Sequence, residues 1–330
     1  MSVDLPTMAP DTVVLEPITI STDYSTADRF YRRGVWVVSM GVLLLLFLIG
    51  AFLLKSGLPA FRVAGLHFFT QSGFQTLGKH PVFGVLASLV GTLEVAMVAM
   101  VVGTPVAICT AIFLSEYAPL WARRPLISMI DLAAAIPSII YGLWAFFELQ
   151  GNVVGFSTWL SRHASFIPFF KVNSPPLNAS LFIAGLIVGL MIVPIVASIS
   201  REVFSLAPPG EREAALALGA SRWQMIRTVV LPFGRGGMIG AVMLGLGRAL
   251  EETIAVAIVL STAFRVSPMI LQHGGSTISQ IIAVNFGSGG TLGLQDLLFC
   301  GFVLFMITLV VNLIASAIVN RSRSGAGVDL

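Results

Sequence analysis

The sequence predicts an all-α, polytopic integral membrane protein with six transmembrane helices, and three observations carry that prediction. Apolar residues fill 56% of the 330 positions and charged residues only 11%, against roughly 45–50% and 25% in an ordinary soluble domain. Six apolar runs reach the ~20 helical residues needed to cross a hydrocarbon core of about 30 Å. The basic residues between those runs are divided unequally, as a membrane orientation requires.

In chain order, residues 1–28 hold Asp4, Asp11, Glu16, Asp23 and Asp28 and no basic residue. That composition predicts a disordered acidic tail, ahead of a membrane domain over 29–330. Arg29, Arg32 and Arg33 then precede the first run, Val35 to Leu54. With 20 residues and no small-residue cleavage site after it, this run reads as an uncleaved anchor and not as a signal peptide. The second run, Phe83 to Leu114, is 32 residues long and holds Gly91, Gly103 and Pro105, so it must tilt, bend or project beyond the bilayer. Pro137 and Pro194 predict kinks in the third and fourth, Leu126 to Phe147 and Asn178 to Ser200. Met238 to Phe264 and Leu297 to Val319 complete the set. Between these two, Ile278 to Phe286 is apolar but too short to cross, which predicts a helix lying at the outer surface.

Helices are the required form, because a spanning segment must satisfy its own backbone and the alternation of a barrel strand is absent. No internal repeat is visible, so the two-halved plan of many secondary transporters is not indicated. With both termini cytoplasmic, 12 of the 19 Lys and Arg fall inside, six fall outside, and Arg248 lies within the fifth run. That distribution accounts for a pI near 9.1 without a nucleic-acid-binding patch. Cys109 and Cys300 lie in apolar runs and support neither a disulfide framework nor a zinc site.

The longest inner connection, residues 201–236, has its own pattern. Pro208, Pro209 and Gly210 punctuate its start, and Glu211 to Leu218 are good helix formers. Gly219, Ala220 and Ser221 form a break, and Trp223 to Leu231 resumes before Pro232. Glu213-Ala214-Ala215, three residues, Gly219, then Val229-Val230-Leu231-Pro232 resembles the EAA motif of membrane subunits of ATP-binding-cassette (ABC) importers, EAA-x3-G-x9-I-x-L-P. Val229 replaces the usual Ile. The resemblance implies a type I ABC importer permease fold with a cytoplasmic coupling helix between helices 4 and 5, docked in a groove of an ATP-binding subunit. The small residues Ala214, Ala215, Ala217 and Gly219 permit close approach, and Glu213, Arg222 and Arg227 offer charges to a partner. The chain has no P-loop, G-x4-G-K-[ST], so ATP and magnesium are expected on partner subunits, with no cofactor here and no enzymatic activity.

The fifth run is interrupted by Arg248, Glu251 and Glu252, a costly placement tolerated facing a bundle interior or an aqueous path. Spacings of three and four predict either carboxylate beside the guanidinium on one helical face. A buried ion pair that fixes packing and a charged site on a solute path both remain open from spacing alone. Gly245-Leu246-Gly247-Arg248-Ala249-Leu250-Glu251-Glu252-Thr253-Ile254-Ala255-Val256 is similar to the G-L-G-R-A-[IL]-G-E-T-[MI]-A-V stretch of phosphate-specific permeases. Arg248 and Glu252 match that stretch's functional Arg and Glu, while Glu251 stands where the family has Gly.

Phe113 to Pro119, Ala134 to Trp144 and Ser200-Arg201-Glu202 resemble the C-type phosphate permeases more than the A-type. That implies a bacterial inner-membrane importer of inorganic phosphate. Its partners would be an A-type (PstA-like) permease, two ATP-binding (PstB-like) subunits and an extracytoplasmic phosphate-binding (PstS-like) protein. The same machine carrying sulfate or molybdate, an ion-coupled secondary transporter and a phosphate sensor are the rival readings. Glu94, inside the second run, is a candidate for either the pathway or a solvated vestibule.

Overall fold

The computed structural model describes residues 26–75, 82–173, 175–287 and 290–323. The chain forms two compact units, 1–49 and 50–330. Helix α1 (Thr26–Ala64) begins in the first and ends in the second. Of the expected tail, residues 1–25 lie outside the described residues, and Thr26 to Asp28 already form the first turn of α1. In the first unit the described side chains from Thr26 to Ile49 are exposed, and from Val35 onward that surface is predominantly apolar, as suits a membrane-spanning helix.

The second unit continues with a short antiparallel pair, β1 (Ser72–Gln75) and β2 (Val82–Val85), in which Ser72 faces Val85. This ladder is a small correction to an all-helical expectation. Helices α2 (Leu86–Ile112), α3 (Leu120–Ala135), α4 (Ser138–Trp144), α5 (Gln150–His163) and α6 (Leu181–Ser205) follow. After them come α7 (Pro209–Ala217), α8 (Arg222–Met225), α9 (Leu231–Glu251), α10 (Ile254–Val259), α11 (Ile278–Asn285) and α12 (Gly290–Arg323).

Among the described residues, five continuous helical stretches are long and apolar enough to span: Thr26–Phe69, Leu86–Tyr117, Leu181–Ser205, Arg222–Glu251 and Gly290–Val319. A sixth exists only as a bent pair, Leu120–Ala135 with Ser138–His163, turned by 91°. The expected third run straddles that bend. Ile136 and Pro137 take extended backbone angles, with ψ of 127° and 140°, because a proline disfavours helical geometry in the residue before it. Pro137 therefore breaks the helix outright, whereas α6 continues through Pro194.

The core is the seam of α2 and α6, the most extensive helix pair in the unit. Small residues make it close. A Cβ on Gly103 would lie 2.6 Å from the Gly189 carbonyl oxygen, and one on Gly185 would lie 2.5 Å from Val98 Cβ. Such small-residue contacts replace the hydrophobic drive that lipid cannot supply. Val95, Ala99, Ala184, Val188 and Ile192 fill the seam, and Leu250, Val256 and Leu260 close it from the fifth span.

Two expectations for that fifth span change. Pro232 does not end the preceding helix, since the chain runs helically from Arg222 to Glu251. A π turn over Ile226–Val230 stands directly before it. A proline removes one helical hydrogen bond and crowds the carbonyl four residues back, and a wide turn accommodates both effects. At the other end, α9 stops at Glu251 and does not continue to Phe264.

Candidate functional site: the charged break in the fifth span

The break is built from polar side chains that satisfy a backbone opened in the membrane. Glu252 leaves the helix, with φ −63° and ψ 123°. Its Oε1 accepts from the Ala255 N–H at 3.3 Å, capping the start of α10, and the Thr253 hydroxyl donates to the Glu251 carbonyl at 3.0 Å. The Glu252 carbonyl accepts from Ser279 Oγ at 2.7 Å. Each of these groups would otherwise be left unpaired in hydrocarbon, at a cost of several kcal/mol.

Ser279 is held by α11, whose position differs from the expected surface helix. Its first residues, Ile278, Ser279, Gln280 and Ile281, are buried. Thr277 and Gln280 form a capping box at its start, and Gln280 Nε2 donates to the Leu260 carbonyl and to Thr262 Oγ1, both at 3.1 Å. From the α2 side, Thr92 Oγ1 accepts from the Ile278 N–H at 3.0 Å, and Ser88 donates to Ser276 at 3.0 Å. A Cβ on Gly91 would stand 2.1 Å from the Ser276 carbonyl oxygen, so only glycine permits this approach.

Against the break lies a cavity of about 490 Å³ lined by Ile195, Leu244, Gly247, Arg248, Glu251, Glu252 and Asn312. All three predicted charges share it, though not on one helical face. Glu252 stands outside the helix that carries Arg248 and Glu251. Glu252 is 9% exposed, while Arg248 and Glu251 are open to the space. No ion pair joins Arg248 to either carboxylate among the described residues. An open guanidinium with an unused donor fork suits a tetrahedral oxyanion, which accepts two parallel N–H bonds. Asn312, from α12, adds an amide able to donate and accept. Sequence reasoning missed it because nothing in local spacing links it to Arg248.

Glu94 does not line this cavity. It is buried in α2 at 6% exposure. Asp131 accepts from Ser198 Oγ at 2.9 Å and is exposed.

The segment between the fourth and fifth spans folds as helix, turn and helix. Glu213, Ala214 and Ala215 lie on α7, and Gly219 takes φ +84°, the left-handed conformation that lets the chain reverse there. Ser221 caps α8 through a box with Gln224. Leu231 and Pro232 open α9. Ala215 packs toward Ala111, Phe204 and Ile226, while Glu213, Ala214 and Ala217 face outward and Leu218 is 90% exposed. Arg222 lies 5.6 Å over the ring of Tyr117.

Residues 103–324 match the family described as binding-protein-dependent transport system inner membrane component. Over 324 residues the chain is 37% identical to phosphate transport system permease protein PstC 2 of Mycobacterium tuberculosis, covering 95% of this chain and 100% of that protein. It is also 37% identical over 298 residues to the phosphate transport system permease protein PstC of Xylella fastidiosa, covering 89% and 91%. A crystal structure of a bacterial ABC transporter involved in import of the acidic polysaccharide alginate shares the fold. Its TM-score is 0.53 at 17% identity, over 89% of this chain and 99% of that one. A helical membrane chain with this fold and these relatives belongs to the binding-protein-dependent transport system inner membrane components, on the PstC permease branch.

Proposed function

We propose that this chain is the permease subunit through which an ABC importer moves inorganic phosphate across the bacterial inner membrane. The observation that carries the reading is the single cavity holding Arg248, Glu252 and Asn312 at the broken end of the fifth span. Arg248 binds two phosphate oxygens with its guanidinium fork. Phosphate near neutral pH still bears a proton, which the Glu252 carboxylate accepts as a hydrogen bond. Sulfate bears none and is repelled by that carboxylate. Glu251, on the same cavity wall, adds a second negative charge and tunes the site toward a protonated, less charged anion.

Membership of this family supports a reading of the rest of the machine. A PstA-like permease completes the path, a PstS-like binding protein delivers phosphate from outside, and two PstB-like subunits hold ATP and magnesium. Both termini are cytoplasmic, with the segment 201–236 facing the ATP-binding subunits. There Glu213, Ala214, Ala215, Gly219, Leu231 and Pro232 form the coupling element. Alternating access then arises when closure of the ATP-binding subunits shifts the two permeases between outward and inward states. The test is labelled phosphate uptake into vesicles containing the purified complex, with sulfate as competitor. ATP-dependent uptake that excess sulfate leaves unchanged is expected; ATP-independent uptake, or equal competition by sulfate, overturns the proposal.

A further inference from the structure

The chain tethers its inner segment to a span that is not adjacent to it in sequence. Arg212 lies on α7, directly before Glu213. Its Nη1 stands 3.0 Å from Glu116 Oε1 and donates to Glu116 Oε2 at 3.2 Å. Its Nη2 donates to the Phe204 carbonyl in the last turn of α6. The Glu116 side chain is 5% exposed and that of Arg212 21%. One guanidinium therefore joins three elements: α7, the end of α6, and the π turn Phe113–Tyr117 that closes the second span. The next residue of that turn, Tyr117, receives Arg222 from α8. Consecutive residues of the second span thus hold both helices of the segment.

Connectivity alone would carry a displacement of α7 only into α6 before it and into α9 through α8. Apolar packing of Ala111, Phe204 and Ile226 beneath the segment resists compression but offers little directional hold against separation. A largely buried, hydrogen-bonded charge pair resists both. We infer that Arg212 is a positioning residue: with Glu116 it locks the coupling helix to the inner end of the second span, so that motion delivered at the outward face of α7 moves the second and fourth spans together. Those two spans form the core seam, and the fourth contributes Ile195 to the charged cavity. The inference rests on the coupling role proposed for 201–236.

The experiment uses the assembled complex in vesicles and reads two quantities: retention of the ATP-binding subunit on purification, and ATP hydrolysed per phosphate transported. Arg212→Gln and Glu116→Gln are expected to retain the subunit and to raise ATP per phosphate about 10-fold, within the range of ordinary coupling free energies. The reversed pair, Glu116→Arg with Arg212→Glu, is expected to recover most of the normal ratio. An unchanged ratio in both Gln variants overturns the inference, as does a raised ratio that the reversed pair does not improve. If Arg212→Gln fails to assemble, Glu116→Gln, which keeps the side chain's size and one acceptor, carries the test by the same ratio. Failure of all three to retain the subunit assigns the pair to folding alone and also overturns it. Ala214→Arg on the exposed face separates the underlying reading: unchanged retention there breaks the docking role, whatever the ratio does.

Discussion

Arg212 and Arg248 are the same residue type near the two ends of one connected stretch, and they stand in opposite states. Arg212 is closed: both Nη groups of its guanidinium are taken up, by Glu116 and the Phe204 carbonyl. Arg248 shares a cavity with two carboxylates and an amide yet pairs with neither acid among the described residues. The difference comes from backbone geometry. Had the fifth helix run on, Glu252 would lie one turn beyond Arg248, where an ion pair forms readily. Because the helix breaks, one oxygen of the Glu252 carboxylate is taken by the Ala255 N–H and the guanidinium is left for a ligand. A closed arginine positions elements, and an open one binds.

The sharpest way to break that contrast is Arg248→Gln. Loss of a charged hydrogen-bonding group from the open site is expected to lower ATP-dependent phosphate uptake about 10- to 100-fold, the equivalent of about 1.5–3 kcal/mol. The midpoint of thermal unfolding in detergent should barely move, since no intramolecular pair is lost. Glu116→Gln should do the converse to stability. Removing one partner of a largely buried pair costs about 1–3 kcal/mol, reduced from the fully buried value because Arg212 is partly exposed. A fall in unfolding midpoint relative to the Arg248 variant would register it.

Glu252→Gln keeps an oxygen to cap α10 but replaces the carboxylate acceptor with a neutral amide. Uptake is expected to fall about 10-fold, the scale of one charged hydrogen bond, and discrimination against sulfate should narrow in a competition assay. The smallest effect is expected of Glu251→Gly, which removes a charge from an open wall of the cavity. A change in apparent phosphate affinity of about 3-fold or less, growing weaker as salt is raised, would fit a screened long-range contribution.

Much of this was legible in the sequence, for identifiable reasons. The six apolar runs are composition written at the scale of a bilayer, and the bend at Pro137 follows from a single ring. The spaced motif from Glu213 to Pro232 gave the family before any geometry, and Arg248, Glu251 and Glu252 stood out as charges in oil. What could not be read depends on partners distant in sequence. The apolar run resumes after Glu252 and continues to Phe264, but the helix ends at Glu251, where Ser279 donates to the freed Glu252 carbonyl. The expected surface helix is half-buried, its start tied to α2 through Thr92 and to Leu260 and Thr262 through Gln280. Asn312 carries no local signal, and Glu116 lies in the stretch Phe113 to Pro119 without any sign of its partner Arg212; each acquires its meaning only when another element arrives beside it.

The π turn over Ile226–Val230 has a geometric consequence for everything beyond it. An α-helix transmits direction as phase, about 100° per residue at 3.6 residues per turn, and a π turn inserts an extra residue into that count. The side chains of α9, Arg248 among them, are therefore dialled to a bearing different from the one an unbroken helix from Arg222 would give them. In that sense the turn is the key cut that fits the inner, docking end of the helix to the cavity at its far end: deleting Arg227 or Thr228 there would remove no apolar residue, yet it would turn the whole of α9 by about 100° and aim the charge at a different wall.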